Sequence, residues 1–159
     1  MSSPDKVIAD VHELIDATSL TAITFFKLYA ERWLDPDVDP EQDFEIEPEY
    51  ALNVHTREDD AGFRVLLETT IKTPIGEIAC GVRAEYEHPG HVLQASSSDA
   101  LTEFINGVAL MHVLPFTRQG IADLTQRTFD APLLMPIIQR GELEFHAGIS
   151  ATADRSAAG

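Results

Sequence analysis

Two runs of alternating residues joined by a short turn constrain the fold of this chain more than any other feature. Residues 63–72 and 78–86 alternate between apolar side chains and polar or small ones. Successive side chains of a strand point to opposite faces of a sheet, so a period of two predicts strands with one buried face. Pro74 and Gly76 lie between the two runs and favour a turn. The pair therefore predicts an antiparallel hairpin.

Two earlier segments complete a predicted sheet of four strands. Residues 20–33 carry apolar side chains at both odd and even positions, so both faces of this strand require cover, one of them by another subunit. From residue 43 onward, Phe44, Ile46 and Tyr50 point one way and acidic residues point the other. This pattern predicts a half-buried strand with an acidic face, and Pro48 bends it or places it at a sheet edge.

Helical periodicity is found on both sides of these strands. Residues 5–17 place apolar side chains three and four positions apart, which predicts a short amphipathic helix. Ser97 predicts the start of a second helix, whose apolar stripe reaches Met111. Pro115 suits the first turn of a helix rather than its interior, so it predicts the start of a third. The predicted fold class is α+β: a four-stranded antiparallel sheet with an N-terminal helix and two C-terminal helices on one face.

The length of 159 residues is that of one domain, which we expect to extend over residues 1–146. The small residues of 147–159 predict a disordered C-terminal tail. The N-terminus lacks a basic region followed by an apolar run, and no stretch approaches the ~20 continuous apolar residues of a membrane span. We therefore expect a protein of the cytoplasm without membrane insertion.

The acidity of the chain excludes some classes of partner. Lys and Arg number 11 against 27 Asp and Glu, which gives a net charge of −16. Such a field repels nucleic acid phosphates and anionic membrane surfaces, so neither is an expected partner. The same charge attracts basic polypeptide segments, and it also favours solubility.

No residue pattern indicates catalysis, a cofactor or a bound metal. The sequence DPDVDP begins like a calcium-binding loop, but Pro40 stands at its sixth position and Ile46 at its twelfth, where glycine and glutamate are required. Cys80, His88 and His91 lack the spacing of zinc ligands. Cys80 also occupies an inward strand position, which is typical of an inert core thiol. We therefore expect a protein that is not an enzyme.

Two short motifs mark the C-terminal helical region. Residues 113–118 read Val-Leu-Pro-Phe-Thr-Arg, and Phe129 is followed by Pro132, two leucines and Pro136. The first motif resembles the Leu-Phe-Pro-Tyr-Ala-Arg signature that opens the principal helix of the SecB family of export chaperones. The second resembles the Phe-Pro, leucine and proline pattern that follows that helix, with two residues inserted. With the order of the strands, the resemblance covers roughly residues 20–145. The signature positions that match are Leu114, Pro115, Phe116 and Arg118.

The resemblance implies an ATP-independent holdase that binds unfolded or nascent polypeptides and keeps them export-competent or protected. It also implies a homotetramer built as a dimer of dimers, and docking of the SecA motor on an acidic surface for which Glu31 is a candidate. The extra N-terminal helix is closer to SecB-like chaperones encoded with toxin–antitoxin pairs. The alternative implied by that similarity is a chaperone dedicated to one antitoxin client.

Alternating apolar residues on the predicted strands are the candidates for lining a client-binding groove. Ordinary core or subunit-interface packing explains the same pattern, because apolar alternation is first a core signal. A rival from another class is a small-molecule-binding α+β pocket protein or enzyme, in which His55, His88, His91 or His112 would transfer protons. The groove-lining candidates are Phe26, Leu28, Phe44, Ile46, Tyr50 and Leu66.

Overall fold

The computed structural model describes residues 5–34, 37, 45–135 and 142–145. A short turn of 3-10 helix precedes the second α-helix, and a π-helical segment joins the second α-helix to the third. The elements in chain order are β1 Lys6–Val7, α1 Val11–Ala17, β2 Ser19–Arg32, β3 Glu49–Thr56, β4 Gly62–Thr73, β5 Gly76–Glu87, β6 His91–Val92, the 3-10 turn Ala95–Ser97, α2 Ser98–Phe104, the π segment Ile105–Ala109 and α3 Leu110–Thr128.

Four strands form an antiparallel sheet, as the sequence predicts, and their order in the sheet is β2-β5-β4-β3. The odd-numbered residues of β4 and the even-numbered residues of β5 are buried, and α3 packs over this side of the sheet against β5 and β2. We call this side the helix face. The alternate residues of the same strands form the open face, which carries charged side chains such as Arg64, Glu68 and Glu85. The α+β class is confirmed, and the core lies between the sheet and the helical run.

The N-terminal segment differs from the helix predicted over residues 5–17. Helix α1 begins only at Val11, because the Asp10 side chain accepts a hydrogen bond of 2.9 Å from the Glu13 amide and caps the helix there. The residues before the cap are extended: β1 pairs in parallel with β6, and Ile8 N–H donates to the Val92 carbonyl. The prediction of a longer helix was wrong because local periodicity did not reveal this distant pairing partner.

The two C-terminal helices were predicted to separate at Pro115, and this prediction was also wrong. The helical run continues through Pro115, which lies exposed inside α3, and its irregularity falls upstream in the π segment that contains Gly107. Helix α3 buries Leu110, Val113 and Ile121 completely against the sheet. Burying a large apolar side chain is worth about 1.5–3 kcal/mol, so three of them outweigh the roughly 3 kcal/mol cost of an interior proline.

The helical run Ala95–Thr128 is long and apolar enough to span a membrane by length and composition alone, with a mean hydropathy of 1.2 over its most apolar window. Half of that window is buried inside the protein. Its apolar residues therefore belong largely to the core, where they cover the helix face of the sheet.

His88 is fully buried directly after β5, beside the ring of Phe63. Its Nδ1–H donates 3.1 Å to the His91 carbonyl, and its Nε2 has no hydrogen-bond partner among the described residues. Burial lowers the pKa of His88, and the nearby charges of His91 and Arg57 act in the same direction. The neutral ring therefore supports the turn whose Gly90 carbonyl accepts the Lys6 N–H of β1.

We expect the protein to lose stability as the pH falls from about 7 to 5, because His88 accepts a proton more readily in the unfolded chain than in the fold. The stability that His88 contributes is complete above its unfolded pKa and declines below it. Asp59, whose pKa the Arg57 guanidinium lowers to about 2, titrates below this range. Thermal unfolding measured across the range should show a flatter pH dependence for His88→Phe. The exposed control His12→Gln should keep the wild-type slope, and an unchanged slope in His88→Phe would assign the effect to other groups.

Candidate client-binding surface

Strand β2 lies at an edge of the sheet and is 14 residues long. It is hydrogen-bonded to β5 on one side, and no strand of the described residues pairs with its other side. Its outward backbone N–H and C=O groups are thus available to another chain. Globular proteins usually protect such edges with charges, prolines or short strands. Strand β2 carries charges at Lys27, Glu31 and Arg32, but much of its length is apolar, so it is a candidate interaction surface.

Large apolar side chains are concentrated on this edge. Those on β2 itself are between 38% and 53% exposed, and two more follow directly after the strand. Contiguous apolar exposure of this kind marks binding sites for other polypeptides. Seven of the ten exposed large apolar side chains in the described residues lie here, and we call them the β2 apolar surface: Leu20, Phe25, Phe26, Leu28, Tyr29, Trp33 and Leu34.

A β-bulge presents consecutive aromatic side chains to both faces of the sheet. The register of β2 with β5 shifts between Phe25 and Lys27, which leaves Phe26 as the inserted residue. The ring of Phe26 lies over Gly81 on the open face, where a Cβ atom would come within 2.5 Å of the ring. Lys27 reaches beyond Gly81 on the same face, and its Nζ lies 2.6 Å from Oε1 of Glu68. Gly81 therefore makes the space in which Phe26 turns to the open face.

On the helix face, the β2 apolar surface continues onto α3. The ring centroids of Phe25 and Phe116 are 6.2 Å apart, and both side chains are exposed. Gly120 allows this approach, because a Cβ atom there would lie 2.8 Å from Phe25 and 2.9 Å from Cys80 Sγ. The side chain of Leu28 borders the same position. The result is a continuous apolar flank from the edge strand to the middle of α3.

The six groove-lining candidates do not come together in one groove. Phe26 and Leu28 belong to the β2 apolar surface, whereas Leu66 is half-buried on the open face of β4. Tyr50 lies on β3 at the opposite edge of the sheet, whereas Ile46 lies before this strand begins at Glu49, although it was predicted to be part of the strand. Both side chains pack against the core. Burial accordingly raises the pKa of Tyr50. The sixth candidate, Phe44, lies outside the described residues.

The signature residues of the C-terminal motif divide between core and surface. Leu114 is buried and Arg118 is half-buried, while Pro115 and Phe116 are exposed on α3. Phe116 is the member that reaches the β2 apolar surface, through its contact with Phe25. The signature therefore both anchors the helix and contributes to the candidate surface.

Several surface residues were not among the groove-lining candidates: Leu20, Phe25, Tyr29, Trp33, Leu34 and Phe116. The signal for most of them was present in residues 20–33, where apolar groups occupy both faces. That pattern did not reveal that the strand is an edge strand, so it could not separate exposed residues from buried ones. The structure also places Glu31 on this strand, where its Oε2 accepts a hydrogen bond of 2.6 Å from the Tyr29 hydroxyl.

The histidines proposed for a pocket enzyme are scattered. A cavity of about 330 Å³ lies at one end of the sheet, and of the four candidates only His55 lines it. His112 Nδ1 is instead 2.8 Å from the Tyr86 hydroxyl, and His88 is buried. Burial raises the pKa of the Cys80 thiol to about 11, which opposes formation of a nucleophilic thiolate. Among the described residues, no three His, Cys, Asp or Glu side chains are grouped to hold a metal ion.

Comparison with known proteins identifies the fold. No protein-family model matches the sequence, and no curated protein matches it. The structure is similar to that of the Mycobacterium tuberculosis Rv1957 SecB-like chaperone, solved in complex with a ChAD peptide from the Rv1956 HigA1 antitoxin. That match has a TM-score of 0.68 and 18% sequence identity, and it covers 82% of this chain and 96% of the other. A protein of unknown function from Streptococcus agalactiae matches with a TM-score of 0.48 and 10% identity, over 76% of this chain and 97% of that one.

The similarity to Rv1957 confirms the predicted resemblance at the level of the fold. The four-stranded antiparallel sheet and the long C-terminal helix of this chain form a SecB-like fold.

Proposed function

We propose that this protein is an ATP-independent holdase chaperone that binds unfolded or nascent polypeptides and keeps them export-competent or protected from aggregation. The observation that carries the proposal is the β2 apolar surface, on a long strand edge that no strand of the described residues covers, with large apolar side chains on both of its faces. The SecB-like fold supports it. Such a chaperone would act in the cytoplasm.

Two kinds of contact would hold a client on this surface. An extended client segment can pair with the free edge of β2 through main-chain hydrogen bonds, which do not depend on client sequence. Apolar client residues can at the same time cover Phe26, Leu28 and Tyr29. Full burial of a large apolar side chain is worth about 1.5–3 kcal/mol, so several partial burials give useful affinity without specificity. The net charge of −16 would speed the encounter with basic segments.

Assembly and partners are part of the same proposal. In a homotetramer arranged as a dimer of dimers, a second copy would cover part of the β2 apolar surface and leave the remainder for client. Glu31, exposed near the end of β2, would belong to an acidic docking surface for SecA. A narrower form of the proposal is a chaperone dedicated to one antitoxin. It is favoured by the likeness to Rv1957, which was solved with an antitoxin peptide.

Light scattering of two unrelated chemically unfolded proteins, diluted into stoichiometric amounts of this protein without ATP, tests the proposal. We expect both to stay in solution, with no change when ATP is added. If neither is protected by a well-folded sample, the general holdase function is wrong. Protection of an antitoxin encoded beside the gene, and of no other protein, would then identify the dedicated form.

A further inference from the structure

Asn106 holds the backbone of Phe145 with both ends of its side-chain amide. Its Nδ2 donates 2.8 Å to the Phe145 carbonyl, and the Phe145 N–H donates 2.7 Å to its Oδ1. Asn106 lies in the π segment that joins α2 to α3. π-helical segments often occur at functional sites. The two hydrogen bonds connect residues 39 positions apart, so they are a tertiary contact rather than a local turn.

The chemistry of this contact is that of backbone recognition. A carboxamide presents the same N–H donor and C=O acceptor as a peptide group. Its pair of bonds to one residue reproduces the exchange made by a hydrogen-bonded pair in an antiparallel sheet. Recognition of this kind reads an extended backbone and is indifferent to the side chain that the residue carries.

The side chains of the segment that Asn106 holds alternate in burial, although its backbone turns at Glu142 and bends at Leu143. Leu143 and Phe145 are half-buried and pack against the hydrophobic core, whereas Glu142 and Glu144 are exposed. Apolar residues two positions apart therefore face the protein while acidic residues face solvent. The site beneath the segment thus combines a backbone reader with apolar contacts on either side of one exposed residue.

We propose that Asn106 and the adjoining apolar surface form a docking site for a polypeptide segment with apolar residues two positions apart, and that residues 142–145 occupy it as an internal ligand that an incoming client displaces. That the displacing ligand is a chaperone client rests on the proposed function. The existence of the docking site does not depend on that function. The evidence for a polypeptide occupant is that residues 142–145 of the chain itself lie in the site, with the Phe145 backbone bonded to Asn106.

Displacement is feasible because Glu144 of the internal ligand adds a negative charge that faces solvent, in a protein whose net charge is already −16. A client segment with a neutral or basic residue at that position would keep the two backbone bonds and the apolar contacts without that added charge. A client peptide should therefore displace residues 142–145 less effectively as acidic residues are added at its outward positions. This loss should be larger at low salt, where charge repulsion is less screened.

The test uses the full-length chain and a fluorescent peptide with the sequence of residues 141–148, GELEFHAG. In the double variant Leu143→Ser with Phe145→Ser the internal segment is undocked, and we expect the peptide to bind at least about ten-fold more tightly than to wild type, as measured by anisotropy. Adding Asn106→Leu should reverse that gain by about ten-fold, because two backbone hydrogen bonds are lost. Asn53→Leu is the matched control: it makes the same chemical change on the open face of β3 and should leave binding unchanged.

Three results would overturn the proposal: equal peptide binding by wild type and the double variant, no effect of Asn106→Leu, or an equal loss with Asn53→Leu. A smaller native mass when Asn106→Leu is introduced into the otherwise wild-type chain would instead show that the occupant is the segment of a second copy, and would also overturn the proposal. Circular dichroism checks the folding of each variant. If the double variant does not fold, hydrogen exchange on wild type replaces it: excess peptide must accelerate exchange at residues 142–145.

The outcome is separable from that of the holdase test. Peptide binding that depends on Asn106, in a protein that protects no unfolded client from aggregation, would support the docking site and contradict the proposed function. If both hold, the undocked double variant should protect clients at a lower molar ratio than wild type, because the internal competitor is gone.

Discussion

Replacing Phe26 and Leu28 together by aspartate is expected to weaken client binding by about ten-fold or more while the fold is retained. Both side chains are among the most exposed apolar groups on β2, so the substitutions remove little core packing. They place two charges on the strand edge that would otherwise pair with a client, and charges on edge strands oppose such pairing. Aggregation suppression as a function of molar ratio measures the effect, and urea unfolding verifies that stability is preserved.

The matched control is Ile15→Asp, because Ile15 is 43% exposed on α1 and Phe26 is 42% exposed on β2. Equal losses in the control and in the double variant would show that general surface apolarity, rather than the β2 apolar surface, binds clients. Native mass must be measured in parallel. If the double variant falls apart into smaller species, the two residues belong to the subunit interface and their assignment to the client site is wrong.

Substituting Pro115 by alanine is expected to raise the free energy of unfolding by roughly 1–3 kcal/mol. Pro115 lies inside α3, where it can donate no hydrogen bond to the carbonyl four residues earlier. Alanine restores that donor and has the highest helix propensity. The side chain is exposed, so no packing is lost. Urea denaturation with a constant m-value measures the change.

Pro132→Ala serves as the control, since Pro132 is exposed and lies outside the helices. Its substitution should change stability by no more than about 0.5 kcal/mol. A destabilising effect of Pro115→Ala would mean that the proline begins a separate helix, as the sequence predicts, and that the continuous helical run is wrong.

The sequence was sufficient to predict the four strands of the sheet, although residues 45–48 precede β3 instead of belonging to it. The four strands follow from alternation and from the turn residues Pro74 and Gly76, because a period of two is imposed on each strand locally by the geometry of its own backbone. The π segment was not predicted, although it contains Gly107, a residue of low helix propensity. The resemblance to the SecB family rested on short motifs, and the fold comparison confirms it.

The candidate site was predicted less well, for a physical reason. Phe26 and Tyr50 both follow alternating patterns, yet one is exposed at the β2 edge and the other packs against the core by β3. Alternation reports which side chains share a face but contains no information on the order of strands in the sheet. The bulge that turns Phe26 to the open face depends on Gly81 of the neighbouring strand, which no local pattern could indicate.

The sequence by itself determined the fold class, the four strands, the acidity and the lack of a recognisable catalytic motif, because each depends on composition or on contacts between near neighbours. The tertiary structure alone decided that β2 is an edge, that α3 runs through Pro115, and that Asn106 holds Phe145. These features depend on contacts between residues far apart in the chain. In each of these features, burial against the sheet or pairing with a distant backbone outweighs the local secondary-structure propensity of the residues.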